Sequence, residues 1–259
     1  MKNRSLFFLL ALSVALPSAA SSAPPAARGP ADTEAAVTAP GRPADQIALD
    51  DGRHPAELLS FGGLRRGDRV LDLFTGLGYF SEIMGRAVGP TGGVLAWKPT
   101  HSVNDRSRAE LAALHERTPN VAVMVAPADA FSLPAAAFDF AMINLDYHDT
   151  YWQSDRAHFP RMDPNAFLAT VFQSLKPGGT IVVVDHVANP GGDTRAVVDA
   201  LHRIDPATVR ADFERAGFVF DGESSILRNP ADDHSKLVFD PAIRGHTDRF
   251  VYRFRRPAR

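Results

Sequence analysis

Apolar positions along the chain fall into two alternating rhythms. Short runs rich in apolar residues, at 69–73, 93–97, 121–125, 138–143, 181–184 and 218–220, have the length of buried strands. Between them, apolar residues recur at helical spacing: Phe80, Ile83, Met84 and Ala87, then Leu111 and Leu114, then Phe167, Leu168, Val171, Phe172 and Leu175, then Val209 and Phe213. Ala56, Leu58, Leu59 and Phe61 predict a short helix ahead of the first strand, closed by Gly62 and Gly63. Asp163 and Asp205 each precede a proline, an N-cap acid with proline in the first helical position, and Gly178 and Gly217 are expected to end those helices. Phe250, Tyr252 and Phe254 alternate with Arg249, Val251 and Arg253, which predicts a half-exposed final strand. Strand and helix in regular alternation predict an α/β fold, a doubly wound, mostly parallel seven-stranded sheet with helices on both faces. Ligands of such sheets bind beyond the carboxyl ends of the strands, where the strand order reverses.

The pattern fails at the N-terminus. Lys2 and Arg4 precede an apolar run over 6–16, followed by Pro17 and the small residues 18–23. This succession predicts a secretory signal peptide over 1–20, and the apolar run is shorter than a membrane span needs. The protein is therefore expected to be exported, to the periplasm, with no stable membrane anchor after cleavage. Residues 21–44 are rich in alanine and proline and are expected to form a disordered leader. The domain is expected over 45–259.

Composition then removes whole classes of chemistry. The 259 residues include no cysteine, so thiol nucleophiles, disulfides, thiolate zinc sites and iron–sulfur ligation are excluded. With 28 Lys+Arg against 30 Asp+Glu, a formal charge of −2, nothing favours nucleic acid. A small-molecule substrate is the expected partner.

The densest chemistry follows the first strand. In Asp72-Leu-Phe-Thr-Gly-Leu-Gly78, Gly76 and Gly78 separate strand from helix, where a ligand can approach backbone N–H groups. The Gly-Lys-Ser/Thr of a phosphate loop is absent, and Ser81 stands where a dinucleotide fingerprint wants its third glycine.

Val70-Leu-Asp-Leu73, the Gly76/Gly78 turn, Asp129-Ala130 ahead of Leu133-Pro134, Phe138-Asp139 with Asn144, and Leu175-Lys-Pro-Gly-Gly179 follow one another in a telling order. Together they resemble class I S-adenosylmethionine-dependent methyltransferases, over about 51–255. Asn144-Leu-Asp-Tyr-His-Asp149, Asp185-His186, the segment 201–205 and the stretch 228–245 further resemble a group of exported bacterial methyltransferases. The resemblance implies S-adenosyl-L-methionine as cofactor, held by Asp72, Thr75, Gly76, Gly78, Tyr79, Asp129, Ala130 and Asn144. In this reading the 75–78 backbone passes under the methionine part, Asp129 and Ala130 meet the adenine, and Asn144 borders cofactor and substrate. Methyl transfer to an oxygen or nitrogen nucleophile is the implied reaction. Two departures stand out. Phe74 replaces the first glycine of the loop, and Trp97-Lys98 replaces the acid that commonly grips the ribose hydroxyls. Lysine offers donors and no acceptor, so Lys98 is expected to face an anionic ligand or solvent.

Asp146, His148, Asp149, Asp185 and His186 all follow the fourth and fifth strands. Such a set can hydrogen-bond loop backbones, work as acid and base, or hold a hard metal. His148, Tyr147, Asp185 and His186 are taken as the catalytic candidates, and no metal is assigned. His202-Arg203 is expected to line the entrance from a lid helix or to be exposed, and Asp232-Asp233-His234 to form a solvated loop. The rival to an enzyme is an exported, non-catalytic binding protein that uses the same pocket for another small ligand.

Overall fold

A computed structural model of the chain describes residues 28–258. Its centre is a seven-stranded sheet in the order β3-β2-β1-β4-β5-β7-β6. The strands are β1 (Arg69–Leu73), β2 (Gly93–Pro99), β3 (Val121–Ala126), β4 (Phe138–Asn144), β5 (Leu175–His186), β6 (Val219–Ser224) and β7 (Arg249–Arg255). The first five run parallel, while β7 is antiparallel to both β5 and β6. β1 is flanked by β2 on one side and β4 on the other, so the crossover reverses there and the crevice opens at the carboxyl ends of β1 and β4.

The central strands are apolar on both faces because helices cover both. Leu71, Leu73, Ala141, Ile143, Ile181 and Val183 face one layer of core. Val70, Phe140, Met142, Val182 and Val184 face the other. Nine helices are assigned among the described residues: α1 (Thr33–Val37), α2 (Ala44–Ile47), α3 (Asp50–Arg53), α4 (Pro55–Gly62), α5 (Tyr79–Val88), α6 (Asp105–Arg117), α7 (Pro164–Ser174), α8 (Thr194–Leu201) and α9 (Pro206–Arg215). Both Asp-Pro segments start helices as their chemistry predicts: Asp163 and Asp205 accept from the backbone N–H groups of Asn165 and Ala207. None of these helices is long and apolar enough to cross a membrane.

Four local expectations are corrected. The signal peptide over 1–20 lies outside the described residues, but the leader read as disordered over 21–44 is folded from Arg28 onward. Arg28 bridges Asp68 and Asp139, Ala36 of α1 is buried, and the guanidinium of Arg42 is buried in a two-pronged pair with Asp50 at 2.7 Å. Two arginines and one apolar helix face compensate for the proline-rich composition. The helix expected to stop at Gly178 ends at Ser174, because Leu175 already pairs with Phe138 in the sheet. His202-Arg203 does follow a helix, α8, but neither residue stands at an exposed entrance: Arg203 is fully buried and His202 points inward. The loop at 232–234 is not wholly solvated: Asp232 is buried against Arg203 at 2.9 Å, and His234 is 3.0 Å from Asp248.

Candidate functional site

A cleft of about 850 Å³ lies at the carboxyl ends of β1 and β4. Its floor is the β1–α5 turn, Asp72 to Leu77, with Tyr79 and Phe80; Asn144, Leu145 and Asp146 after β4 form one wall. Asp45, Gln46, Asp51 and Arg53 from the N-terminal helices form another, and His186, Phe239, Arg244, His246 and Arg249 close the far side.

The turn is shaped by its glycines, each for a separate reason. Gly76 has φ +61° and nothing within 4 Å of where a Cβ would stand, so its backbone is open to the cleft. Gly78 has φ +87°, and a Cβ there would collide with Leu114 of α6. It does not line the cleft. Sequence motif alone assigns Gly78 to the cofactor; its place in the structure is a packing position that lets the start of α5 approach Leu114 of α6.

Asp72 is buried, and its carboxylate accepts from the Ser81 hydroxyl, itself 2.8 Å from the Thr75 hydroxyl. Burial lifts its carboxyl to about 6, partly offset by these hydroxyls. Tyr79 donates to Asp50 at 2.6 Å, and the Arg53 guanidinium sits 4.4 Å from the centre of its ring. Among the described residues the Arg53 side chain makes no hydrogen bond or ion pair, although it lines the cleft. Gln46 adds a buried side-chain oxygen without a partner among the described residues.

Several expected site residues lie elsewhere. Asp129 and Ala130 are exposed and outside the cleft wall. Tyr147 is fully buried, donating to Asp212 at 2.9 Å and packed on Phe213, so it belongs to the core rather than to catalysis. Phe74, at φ +57°, packs against Trp97 at 4.6 Å and Phe167 at 5.7 Å, which turns most of its ring into the core. Trp97 is stacked on Phe131 at 4.3 Å. Lys98 does not face solvent, and the acid that acts on its charge is the chain's own Asp146. It is buried, its Nζ donates to the Gly76 carbonyl at 3.0 Å, and burial lowers its ammonium below the usual range.

Behind the cleft wall lies a second group. Asp185 is fully buried at the end of β5 and accepts from His148 Nδ1, His148 N–H and His186 N–H, each at 2.8 Å. Burial opposes a charge on His148, but Asp185 and Asp149 outweigh it and lift the imidazole to about 9. Its Nε2 faces Asp149 and His202, away from the cleft lining. Asp185 is thus a positioning residue, and His148 is not presented to the cleft. Burial and Asp149 hold Asp146 well above the carboxylate range. His186 does line the cleft. Its Nδ1 engages the Thr247 hydroxyl at 2.6 Å, and burial drives the imidazole well below its ordinary value, so it is uncharged at neutral pH.

Of the twelve residues singled out, Asp72, Thr75, Gly76, Tyr79, Asn144 and His186 meet at the cleft. Among the rest of the lining, Arg53, Asp51, Gln46, Arg106 and Arg249 had not been singled out. Isolated charges on short helices carry no sequence signal of a shared wall; only the fold brings 45–53 and 244–249 opposite β1.

No protein-family model matches the chain. It is 29% identical over 161 residues to the ubiquinone/menaquinone biosynthesis C-methyltransferase of Pasteurella multocida, covering 57% of this chain and 53% of that protein. It is 37% identical over 84 residues to the protein-L-isoaspartate O-methyltransferase of Ignicoccus hospitalis, covering 32% of this chain and 39% of the other. The chain thus spans about half or less of these relatives. Among solved structures, a SAM-dependent methyltransferase from Aquifex aeolicus superposes with a TM-score of 0.56 at 18% identity, over 83% of this chain and 99% of that one. The 1,6-didemethyltoxoflavin-N1-methyltransferase of Burkholderia thailandensis, solved with S-adenosylhomocysteine, gives 0.54 at 18% identity, over 82% and 80%. The chain has the Rossmann-like fold of these methyltransferases.

Proposed function

We propose that the chain is an S-adenosylmethionine-dependent methyltransferase acting on an oxygen or nitrogen nucleophile of a small-molecule substrate. The observation that carries the reading is the open Gly76 turn with Asp72 and Arg53 lining the same cleft. An acid and an unpaired guanidinium are the complement of an amino-acid group: Asp72 would take the ammonium and Arg53 the carboxylate of the methionine part. The methionine end therefore fits. At the nucleoside end, β2 supplies no acceptor, because Trp97 and Lys98 are turned inward. Acceptors in the cleft lining away from that end include the carboxylates of Asp45 and Asp51.

When bound, the cofactor supplies a methyl group activated by its sulfonium. The chain's own residues hold the reactants in line and take up a proton. His186 is the group placed for the second task. It is uncharged, its Nδ1 is fixed by Thr247, and Nε2 is left to accept from a substrate hydroxyl or amine. Calorimetry on the chain without residues 1–20 tests the reading. S-adenosylmethionine and S-adenosylhomocysteine should both bind, and Arg53→Ala should weaken each by roughly 10–100-fold. No heat from either ligand at millimolar concentration would sink it.

Export is part of the proposal. Its support is the basic, apolar and small-residue succession over 1–20. Mass spectrometry of the periplasmic fraction should find a chain beginning at Ser21; an intact Met1 in the cytoplasm would contradict it.

A further inference from the structure

Three potential ligand atoms converge behind the cleft wall, from His148, Asp149 and His202. His148 Nε2 lies 3.3 Å from Asp149 Oδ1 and 3.2 Å from His202 Nδ1, and the last two are 3.7 Å apart. A triangle with these edges has its centre about 2.0 Å from each corner, the length of a Zn–N or Zn–O bond, about 2.0–2.2 Å. Three ligands of a tetrahedral ion at that bond length stand about 3.3 Å apart. The side chains already hold that spacing.

The surroundings are those of a ligand set. Asp185 accepts from His148 Nδ1, which fixes the ring and turns Nε2 outward, the carboxylate–histidine arrangement that supports metal-bound imidazoles. The same carboxylate accepts from the His148 and His186 N–H groups, so it is locked in place. Asp149 Oδ1 is buried and has no hydrogen-bond partner among the described residues. His202 is the C-cap of α8 at φ +50°, a left-handed conformation uncommon outside glycine, and its imidazole is braced between Trp152 and Phe239 at about 5 Å. A helix end that needs only a cap does not need an imidazole there. Two imidazoles and one carboxylate suit a borderline ion of the zinc class rather than magnesium or calcium, which prefer all-oxygen sets.

We propose that His148, Asp149 and His202 bind one divalent transition-metal ion, oriented by Asp185, with a coordination position left open. With three protein ligands, an ion keeps a place for water or a substrate oxygen. The set lies just behind the cleft wall: Phe239, which packs on His202, also lines the cleft, whereas none of the three ligand residues does. The site stands whether or not the cleft takes S-adenosylmethionine.

The test uses tag-free chain lacking 1–20, stripped by chelator and titrated with cobalt(II) and zinc(II). One equivalent of cobalt should bind and give the visible absorption of a four-coordinate nitrogen/oxygen site, and zinc should displace it. His202→Gly removes the imidazole while suiting the left-handed cap, and should weaken binding at least about 100-fold with the thermal melt of the metal-free chain retained. Asp149→Asn, at a part-exposed position, decides the matter should His202→Gly not fold, and should likewise lose the cobalt spectrum. Asp185→Asn should bind about 10–100-fold more weakly while keeping one equivalent, as expected of an orienting partner. Less than stoichiometric binding, or an unaltered cobalt spectrum in a folded His202→Gly or Asp149→Asn chain, would overturn the site and leave a hydrogen-bonded Asp–His pair.

Discussion

Asp72 carries a measurable stability cost, and replacing it with asparagine exposes that cost. The carboxyl is lifted from 3.8 to about 6 because burial strips water from the ionised form, and the Ser81 and Thr75 hydroxyls restore only part of it. A carboxyl raised in the folded state binds its proton more tightly there than in the unfolded chain. Stability therefore falls as pH rises from the unfolded value towards 6, and the full penalty is present above about 7. At about 1.4 kcal/mol per tenfold change, that penalty is about 3 kcal/mol. A carboxamide in its place would keep the shape and carry no charge, at the loss of about 1 kcal/mol for a weaker bond from Ser81. Asp72→Asn should thus be about 2 kcal/mol more stable than the parent at pH 8. The advantage should shrink by about that amount between pH 6 and pH 4. Urea denaturation of both chains at several pH values measures it. In the proposed function the same charge receives the cofactor ammonium, so the stabilised variant should bind S-adenosylmethionine at least about 10-fold more weakly. A stability difference that is flat across pH, or a parent more stable than the variant at pH 8, would refute the account of Asp72.

Other positions make narrower claims. Gly78→Ala places a methyl group into Leu114 at a left-handed backbone position and should cost roughly 2–4 kcal/mol in urea denaturation, whereas Gly76→Ala, open to the cleft, should cost no more than about 2. Arg203→Met removes the fully buried partner of Asp232 and should destabilise by about 3–5 kcal/mol, read as a lowered melting temperature. Lys98→Glu restores an acid at the end of β2 but sets a carboxylate against the Gly76 carbonyl, so calorimetry should show weaker, not tighter, binding of S-adenosylmethionine. Tyr147→Phe loses its bond to Asp212 and should cost about 1 kcal/mol with turnover unchanged once a methyl acceptor is in hand.

The sheet was legible because its signal is redundant. The central strands are short apolar runs, α4, α5, α6, α7 and α9 each carry an apolar stripe, and Asp163-Pro164 and Asp205-Pro206 mark helix starts by local chemistry alone. The β1–α5 turn was legible for the same reason: the Gly76 and Gly78 signals are local. What local reading could not do was divide labour between two glycines, since only the position of Leu114 shows that Gly78 is a packing residue. Residues 28–44 were misread because composition averages over the segment, while Arg28 and Arg42 act singly, through partners 8 to 111 positions away in sequence. Arg203 and Asp232 were misread in the same way. A charged residue looks exposed until its counter-ion, 29 positions on, is known to be buried with it.

The inward turn of Lys98 changes where ligand recognition must come from. A carboxylate at the end of β2 would leave the Gly76 carbonyl to solvent and project acceptors into the cleft. Here the lysine spends a donor on that carbonyl, which steadies the turn, and β2 then has nothing to offer a diol. Trp97, stacked on Phe131, seals the same corner with apolar surface. Acceptors are found instead on the N-terminal helices, at Asp45 and Asp51, which in turn depend on residues ahead of them. Arg42 clamps Asp50, Asp50 accepts from Tyr79, and Tyr79 is the first residue of α5, directly after the glycine turn. The segment that composition marks as a loose leader is therefore tied by charge to the floor of the cleft. A break at Arg42 would release the wall and the floor together, so ligand affinity and the anchoring of the N-terminal helices are coupled through one buried guanidinium.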